Sequence, residues 1–457
     1  MRFAFLLIFC YNHSVFLAKN QSLLIMSKFV INGGKKLKGK LEVNTAKNSA
    51  LAILCAAIMV KGKTLLRDMP EIEEIKRLIE ILESIGVKCE WQGQHILTVD
   101  SSAELKMHKI NKQACRKIRS SLMLMGALST RVKQYKLYRE GGCKLGTRTV
   151  RPHLFALKKL GIAIESSPKY YYVNNTGLKS AEVIMYETGD TPTENAIMAA
   201  VMARGKTVIK FASANYMVQD LCHFLERAGA KIEGIGTSTL TIIGVKKLKS
   251  IEYKIMPDPL EAMAFIALAI ATRSEFLVKN CPIDFLELEL EKLSVMGQKF
   301  SLLNKRQSKN GWFNIVDIKL KVSKLTALPD KIHSLPFPGV NIDNLPFFVP
   351  IAAQANGDTL IHDWVFEGRT KYYAEFNKLG ATVEVLDTHR ALVSGPTALK
   401  GAEMKAPEGI RPAMALLIGM IAAKGRSVMK NIYVIERGYE DIANRLRVVG
   451  VNIKRID

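Results

Sequence analysis

The chain has 457 residues, of which 48% are hydrophobic, so its composition excludes a disordered protein and predicts two or more globular domains. Lysine and arginine number 66 against 42 aspartate and glutamate residues, which gives a formal net charge of +24. Because the basic residues are spread along the chain, without a basic tail or an aromatic RNA-binding motif, we expect no nucleic-acid partner. A lysine-rich enzyme surface is the simpler interpretation.

The first segment in chain order, residues 1–25, is expected to be an extension that is not part of the fold. Arg2 precedes an apolar run, as in a signal sequence, but no convincing small-residue cleavage site follows. The pattern of a first strand begins at Met26. No later segment is long and apolar enough to span a membrane. The seven cysteines show neither zinc-ligand nor disulfide spacing, so we expect a reducing, cytoplasmic location.

From Met26 onward one pattern recurs six times: an apolar small-residue helix, a glycine turn, a β segment, an amphipathic helix and a strand pair. The apolar helices are predicted in SALAILCAAIMVKGKTLL, SSLMLMGALS, TENAIMAAVMARGKTVI, EAMAFIALAIATRSEFL, NLPFFVPIAAQANGDTLI and PAMALLIGMIAAKGRSVM. The amphipathic helices are predicted to end at Gly86, Gly161, Gly229, Gly297, Gly380 and Gly450. Units that combine helix and strand signals predict an α/β fold of two similar domains, each with three βαβ-containing repeats around buried helices.

Polar and charged residues cluster where the apolar helices begin. They are Lys47 with Asn48, Arg119, Thr191 to Thr193, Asp258, Asp343 with Asn344, and Arg411. A helix N-terminus carries a partial positive charge, so lysine or arginine at that position is unfavourable for the helix itself. The placement makes sense if a strong anion binds between the cations, with Arg148 and Arg437 also available. These residues therefore predict an anion site.

One cysteine has surroundings unlike those of a structural thiol. Cys143 lies in the segment YREGGCKLGTR, residues 138–148, between glycines and close to Lys144 and Arg148. Neighbouring cations favour the thiolate and so make a cysteine reactive. A spare cysteine in a glycine-rich turn is the alternative interpretation of this segment alone.

Five segments, NTAKNSALAI, GGCKLGTR, GVNIDN, VFEGR and IERGYEDI, carry a resemblance to a known family. In order and spacing they resemble the UDP-N-acetylglucosamine 1-carboxyvinyltransferases, the enolpyruvyl transferases of peptidoglycan synthesis. The resemblance covers residues 26–457 and implies the family fold, an inside-out α/β barrel in which buried helices point their N-termini into a cleft. We expect one domain to comprise residues 26–46 and 257–457, and the other residues 47–256.

The resemblance also implies an activity and the residues that perform it. The family transfers the enolpyruvyl group of phosphoenolpyruvate to the 3-hydroxyl of UDP-N-acetylglucosamine and releases phosphate, without a metal or an organic cofactor. Cys143 is implied as the proton donor and site of a covalent adduct, and Asp343 as the base. The implied phosphoenolpyruvate-binding residues are Lys47, Asn48, Arg148, Arg411 and Arg437. The implied sugar-nucleotide-binding residues are Arg119, Arg148, Asp343, Val365 and Phe366, and Glu367 and Arg369 extend the last motif.

Three positions depart from the family pattern on the nucleotide side. Arg151 replaces an acid, Glu187 replaces a lysine, and Gly409 replaces an aspartate, with Glu408 beside it. If Arg151 and Glu187 face one another, an ion pair is retained with its signs reversed. Two alternatives therefore stay open: enolpyruvyl transfer to another acceptor, or a non-catalytic protein that binds a nucleotide or RNA. The presence of Cys143 and Asp343 argues against the second alternative.

Overall fold

The computed structural model describes residues 27–139 and 149–457, so Cys143, Arg148 and the segment 1–25 lie outside the described residues. The strands are β1 (Lys28–Gly33), β2 (Lys40–Glu42), β3 (Lys63–Arg67), β4 (Lys88–Trp91), β5 (Ile96–Asp100), β6 (Gln134–Tyr138), β7 (Ile162–Ser166), β8 (Tyr170–Asn175), β9 (Glu182–Ile184), β10 (Lys206–Lys210), β11 (Lys231–Glu233), β12 (Thr239–Ile243), β13 (Glu252–Lys254), β14 (Leu277–Pro282), β15 (Phe300–Gln307), β16 (Asn314–Leu320), β17 (Ile332–His333), β18 (Gly357–His362), β19 (Thr382–Val385), β20 (Arg390–Gly395), β21 (Glu403–Lys405), β22 (Gly425–Lys430) and β23 (Asn452–Ile456).

The α-helices are α1 (Lys47–Ala57), α2 (Glu73–Ser84), α3 (Lys112–Lys117), α4 (Leu124–Ser129), α5 (Arg151–Lys159), α6 (Asp190–Val201), α7 (Tyr216–Arg227), α8 (Pro259–Ala271), α9 (Glu287–Val295), α10 (Phe348–Ala352), α11 (Thr370–Tyr373), α12 (Ile410–Ala422), α13 (Tyr433–Glu436) and α14 (Ile442–Val448). The 3-10 helices are Met107–Lys109, Arg119–Met123, Ile283–Phe285, Leu345–Phe347 and Ala374–Leu379.

The strands described form six small sheets, as expected for six repeated units. Their strand orders are β13-β3-β5-β4, β6-β8-β7, β11-β12-β10-β9, β15-β16-β14-β2, β17-β18-β20-β19 and β21-β22-β1-β23. In each four-stranded sheet one edge strand pairs in parallel and the others pair antiparallel; β17 and β18, for example, are parallel, whereas β18 and β20 are antiparallel. Alternate side chains along strands such as β3 are buried, so one face of the sheet packs on helices.

The apolar helix of each unit is buried, as its sequence predicts. All side chains of α8 are buried, and α12 packs directly against it. The fifth apolar helix is interrupted: a 3-10 turn at Leu345–Phe347 precedes the short helix α10. Pro350 lacks the backbone N–H that a continuous helix would need there, whereas Pro346 lies in the first turn, where proline is tolerated.

The glycines predicted to end the amphipathic helices all have positive φ angles, which side-chain-bearing residues rarely adopt. The angles are 99° at Gly86, 89° at Gly161, 105° at Gly229, 91° at Gly297, 83° at Gly380 and 95° at Gly450. A Cβ atom on Gly161 would also lie 2.2 Å from the carbonyl oxygen of Gly177. The predicted α/β fold of repeated units around buried helices is confirmed.

Buried apolar side chains form two clusters. The first contains residues from 46 to 260 together with Phe285 and Phe313, and the second contains residues 29–43 and 262–453. The chain passes between the clusters in two adjacent segments, where the Ala46 amide donates to the Met256 carbonyl at 2.9 Å. These features support the predicted domain boundaries, one between residues 46 and 47 and the other between residues 256 and 257. We propose this division into two domains.

Candidate active site

A buried carboxylate joins two of the predicted phosphate-binding cations. Glu74 Oε2 lies 3.1 Å from Lys47 Nζ, and Glu74 Oε1 lies 2.6 Å from Arg437 Nη2. Lys47 is the first residue of α1, and Arg437 directly follows α13. The structure therefore brings together two cations that are 390 residues apart in the sequence.

Opposing effects act on the pKa of Glu74. Burial by itself would raise the pKa of this carboxyl, but the charges of Lys47 and Arg437 and their hydrogen bonds outweigh burial and lower it. A depressed folded-state pKa stabilises the fold above the unfolded-state pKa, and this contribution is lost as the pH falls through the folded-state value.

We expect Glu74→Gln to lower the free energy of unfolding at pH 7 by about 3–5 kcal/mol, because it leaves two partly buried cations without their counter-charge. The difference from the unmodified chain should be smaller at a pH below the lowered pKa of Glu74, where Glu74 itself is protonated. Chemical denaturation at both pH values measures this. Glu80→Gln is the matched control on the same helix, because its ion pair with Arg77 is exposed on the Glu80 side and contributes about 0–1 kcal/mol. A Glu74→Gln difference that is equal at both pH values would contradict this account.

Arg411 is the second predicted anion-binding element and lies in the first turn of α12. It is 5% exposed, its Nη2 atom lies 3.6 Å from Asp258 Oδ2, and its guanidinium lies 5.1 Å from the centre of the Tyr439 ring. Its Nη1 atom is buried without a hydrogen-bond partner. A buried, unpartnered donor on a cation is costly, so it indicates an anion-binding position.

The charge on Arg411 is strongly favoured. Burial by itself would lower the pKa of this guanidinium, but Tyr439, Asp258 and Asp343 raise it above its ordinary value overall. Burial raises the pKa of Asp258, and the charge of Arg411 counteracts this only in part. Arg411 therefore carries a positive charge.

Tyr216 is a buried residue that contacts the predicted site residue Asn48. It is fully buried at the start of α7, and its hydroxyl oxygen accepts a hydrogen bond from Asn48 Nδ2 at 3.1 Å. Burial raises the pKa of Tyr216 well above its ordinary value, and the carboxylates of Asp258 and Asp343 add to this shift, whereas Arg411 opposes it. Among the predicted site residues, Asn48 thus contacts this buried phenol directly, and the charges of Arg411 and Asp343 act on it.

Asp343 is held in place and still accessible. Its side chain is 32% exposed, its Oδ1 atom lies 3.9 Å from Arg369 Nη1, and its backbone N–H donates to Asn341 Oδ1 at 2.9 Å. Arg369 is itself fixed by the buried carboxylate of Asp363 and by a 2.7 Å hydrogen bond to the Ile342 carbonyl. A carboxylate that is both oriented and reachable suits a general base.

The predicted sugar-nucleotide residues of the VFEGR segment differ in their surroundings. Phe366 is buried, and its ring centre lies 4.5 Å from the guanidinium of Arg369. Val365 is 45% exposed, and Glu367 is exposed. Phe366 thus supports Arg369, while Val365 presents an apolar surface to solvent.

Arg119, at the start of a 3-10 helix, lies close enough to His153 to influence it. Burial, and then the charge of Arg119, lower the pKa of His153 to about 3, so this histidine is neutral. Asn195 Nδ2 donates to His153 Nδ1 at 2.8 Å, which leaves the proton of the neutral ring on Nε2. His153 therefore adds no positive charge beside Arg119.

Three residues depart from the family pattern: Arg151, Glu187 and Gly409. Arg151 and Glu187 are both exposed and, in the described part of the chain, form no ion pair with each other, so the condition for a charge-reversed pair is not met. Gly409 precedes α12 and contributes no carboxylate, while Glu408 is exposed. The carboxylate beside Arg411 comes from Asp258 instead.

Sequence reasoning missed Glu74 and the carboxylate role of Asp258. A signal for Glu74 was present: it occupies the buried face of α2 with Ile75, Leu78 and Leu82, where an apolar residue is expected. Asp258 accepts a hydrogen bond from the Leu260 amide, so its sequence context predicts only a helix cap. Within residues 27–139 and 149–457, no group of three or more histidine, cysteine, aspartate or glutamate side chains is arranged to hold a metal ion.

The sequence is similar to a well-defined set of proteins. A family profile described as EPSP synthase (3-phosphoshikimate 1-carboxyvinyltransferase) matches residues 31–446. UDP-N-acetylglucosamine 1-carboxyvinyltransferase of Treponema denticola is 34% identical over 94% of this chain and 99% of its own length. UDP-N-acetylglucosamine 1-carboxyvinyltransferase 2 of Caldanaerobacter subterraneus subsp. tengcongensis is 36% identical over 94% of this chain and its whole length.

Solved structures share the fold. The enolpyruvyl transferase NikO from Streptomyces tendae has a TM-score of 0.82 at 22% identity, over 94% of this chain and 99% of its own. EPSP synthase from Acinetobacter baumannii has a TM-score of 0.73 at 18% identity, over 94% of this chain and all of its own. Along the described part of the chain, no helix is long and apolar enough to cross a membrane.

Proposed function

Because the chain belongs to the carboxyvinyltransferase family that includes EPSP synthase and UDP-N-acetylglucosamine 1-carboxyvinyltransferase, we propose that it transfers an enolpyruvyl group from phosphoenolpyruvate to the 3-hydroxyl of UDP-N-acetylglucosamine. The observation that carries the proposal is the buried Arg411, whose Nη1 atom has no partner, near the accessible carboxylate of Asp343. This arrangement provides a cation for a substrate anion and a base for its acceptor.

Phosphoenolpyruvate carries a phosphate and a carboxylate, which match two groups of cations. Lys47 and Arg437, already paired through Glu74, would bind the phosphate together with Arg148. Arg411 would bind the carboxylate, and Asn48 would contact the substrate from the start of α1. The presence of cations from both ends of the sequence suits a site that closes around its ligand.

Addition and elimination then follow from the chemistry of the two substrates. Asp343 removes the proton of the sugar hydroxyl, whose oxygen bonds to C2 of phosphoenolpyruvate, while Cys143 protonates the methylene carbon. Loss of a proton from the new methyl group and departure of phosphate restore the double bond. The products are the enolpyruvyl ether and inorganic phosphate, and all atoms are accounted for without an external oxidant or reductant.

The acceptor is the more specific part of the proposal. The names of the T. denticola and Caldanaerobacter relatives support UDP-N-acetylglucosamine as the acceptor. With this acceptor, the chain would act in peptidoglycan synthesis, cell-wall biogenesis and cell division, in the cytoplasm. Arg119, Arg148, Val365 and Phe366 would contact this substrate. Because Arg151 and Glu187 do not form an ion pair, we expect no contribution from such a pair to the affinity for UDP-N-acetylglucosamine.

Phosphate release should test the proposal directly. With phosphoenolpyruvate present, we expect UDP-N-acetylglucosamine to give the highest kcat/KM, above free N-acetylglucosamine, other UDP-sugars and 3-phosphoshikimate. Steady-state phosphate measurement with each acceptor decides this, and reactions without an acceptor provide the background. A higher specificity constant with another acceptor would retain the enolpyruvyl chemistry and change the substrate. No release above background with any acceptor would overturn the enzymatic proposal.

A further inference from the structure

The segment that carries Asp343 is organised around Asn341, two residues earlier. The backbone N–H of Asn341 donates to Glu289 Oε1 at 2.9 Å, and its Oδ1 atom accepts from the Asp343 amide, also at 2.9 Å. Its Nδ2 atom donates to Asn215 Oδ1 at 3.3 Å. The amide side chain of Asn341 therefore connects the proposed base to a residue 126 positions away.

On one side, the segment is fixed to its own part of the fold. Glu289, on α9, is 2% exposed, and its Oε1 atom also accepts from Asn344 Nδ2 at 2.9 Å. Burial raises the pKa of Glu289, while its hydrogen bonds with Asn344 and Asn341 act in the opposite direction. A single buried carboxylate thus holds both ends of residues 341–344.

On the other side, the segment contacts the region of the first apolar cluster. Asn215 caps α7 by accepting from the Tyr216 amide at 2.9 Å, and its Nδ2 atom donates to Asp190 Oδ2 at 3.2 Å. Tyr216 belongs to the first apolar cluster, whereas Val340 and Leu345, which flank the Asp343 segment, belong to the second. The hydrogen bond between the two asparagines therefore requires the two regions to be close together.

We infer that Asn341 is a positioning residue that couples the approach of these two regions to the placement of Asp343. The inference rests on the proposed function, in which Asp343 is the base. An asparagine that only forms a turn needs one hydrogen bond, in which its Oδ1 atom accepts from the backbone N–H two residues later. The additional bond to Asn215 makes the orientation of this turn depend on the opposite region. A misplacement of a catalytic group by 1 Å can cost ~100-fold in rate.

Three variants separate coupling from a purely local role. Asn215→Ser retains a good helix cap but is too short to reach Asn341, so it removes the connection to Asn341 together with the bond from Asn215 Nδ2 to Asp190, and leaves the contacts of Asn341 with Glu289 and Asp343 in place. Asn341→Ala also removes the acceptor for the Asp343 amide, and the double variant combines both changes. Asn310→Ala is the matched control, because Asn310 Nδ2 donates to Asp220 Oδ1 at 3.3 Å, another bond between the two regions that does not involve Asp343.

We expect Asn215→Ser to lower kcat by ~10-fold and Asn341→Ala by ~100-fold, with the KM for phosphoenolpyruvate changed by less than ~3-fold. Because Asn215 acts through Asn341, the double variant should be no slower than Asn341→Ala, while Asn310→Ala should retain the full kcat. Single effects that multiply in the double variant, or unchanged kcat in folded variants, would overturn the inference. Thermal unfolding identifies any variant that has lost its fold.

Hydrogen exchange of residues 341–344 gives a test that does not depend on activity. Asn215→Ser should accelerate exchange in this segment by ~10-fold, while Asn310→Ala should leave it unchanged. Equal exchange in the unmodified chain and in Asn215→Ser would contradict the coupling. Inactivity of the unmodified chain with UDP-N-acetylglucosamine would instead contradict the proposed function, and the exchange result would still decide the coupling.

Discussion

Replacing Arg411 with methionine should lower kcat/KM for phosphoenolpyruvate by at least ~100-fold, with a smaller loss of unfolding free energy than the same change at an arginine whose hydrogen bonds are all made within the protein. Removing one partner of a buried charge pair costs about 2–5 kcal/mol of binding, and each 1.4 kcal/mol is about tenfold. In the structure without substrate, Nη1 of Arg411 has no hydrogen-bond partner and Nη2 lies 3.6 Å from Asp258. Within the protein, the buried Asp258 loses an ion pair at 3.6 Å, whereas the substrate carboxylate loses its cation.

Arg445→Met is the matched control for this substitution. Arg445 is largely buried like Arg411, but Glu261 binds its Nη1 and Nη2 atoms at 2.6 and 2.9 Å, and Nη2 also donates to the Glu42 carbonyl. We expect Arg445→Met to lower the free energy of unfolding by about 3–5 kcal/mol, with little effect on kcat/KM below its melting temperature. Steady-state kinetics and chemical denaturation of both variants measure the contrast. If Arg411→Met and Arg445→Met lost the same stability and had the same kcat/KM, Arg411 would be a structural cation.

Asp343→Asn should lower kcat by ~10²–10⁴-fold, the range expected for loss of a general base. The amide is nearly isosteric, and the 2.9 Å hydrogen bond from the backbone of residue 343 to Asn341 is retained. The KM for phosphoenolpyruvate should change little, because its proposed ligands are Lys47, Arg411 and Arg437. Single-turnover and steady-state rates at saturating substrates measure this effect.

The control for Asp343→Asn is Asp358→Asn, which alters an exposed aspartate near the beginning of β18. It should retain the kcat of the unmodified chain. If Asp343→Asn also retains full kcat, another group removes the hydroxyl proton, and the assignment of Asp343 as the base is wrong. A selective increase in the KM for the acceptor, with unchanged kcat, would make Asp343 a binding residue.

The repeated fold could be predicted because its determinants are local. Each apolar helix is marked by continuous small and apolar residues, and each amphipathic helix ends at a glycine with positive φ. The interruption of the fifth apolar helix is consistent with Pro350, which lacks a backbone N–H beyond the first turn, whereas Pro346 lies within the first turn. Periodicity alone does not distinguish such a broken helix from a continuous one.

The site was only partly predictable, because several of its contacts join distant segments. Lys47, Arg411 and Arg437 stand out as cations at or near helix ends. The position of Glu74 on the apolar face of α2 marks it as unusual, but does not identify its partners. Asn341 resembles an ordinary turn residue, since its bond to Asn215 depends on how the two apolar clusters pack. The same dependence explains why the relative placement of Arg151 and Glu187 could not be deduced from their charges.

Identification of the product tests the central claim most directly. The unmodified chain should be incubated with phosphoenolpyruvate and UDP-N-acetylglucosamine, and the product analysed by mass spectrometry and NMR alongside phosphate release. The account predicts one enolpyruvyl ether at the sugar 3-hydroxyl for each phosphate released. Phosphate released without an ether, or an ether formed on a different acceptor in preference to UDP-N-acetylglucosamine, would contradict it.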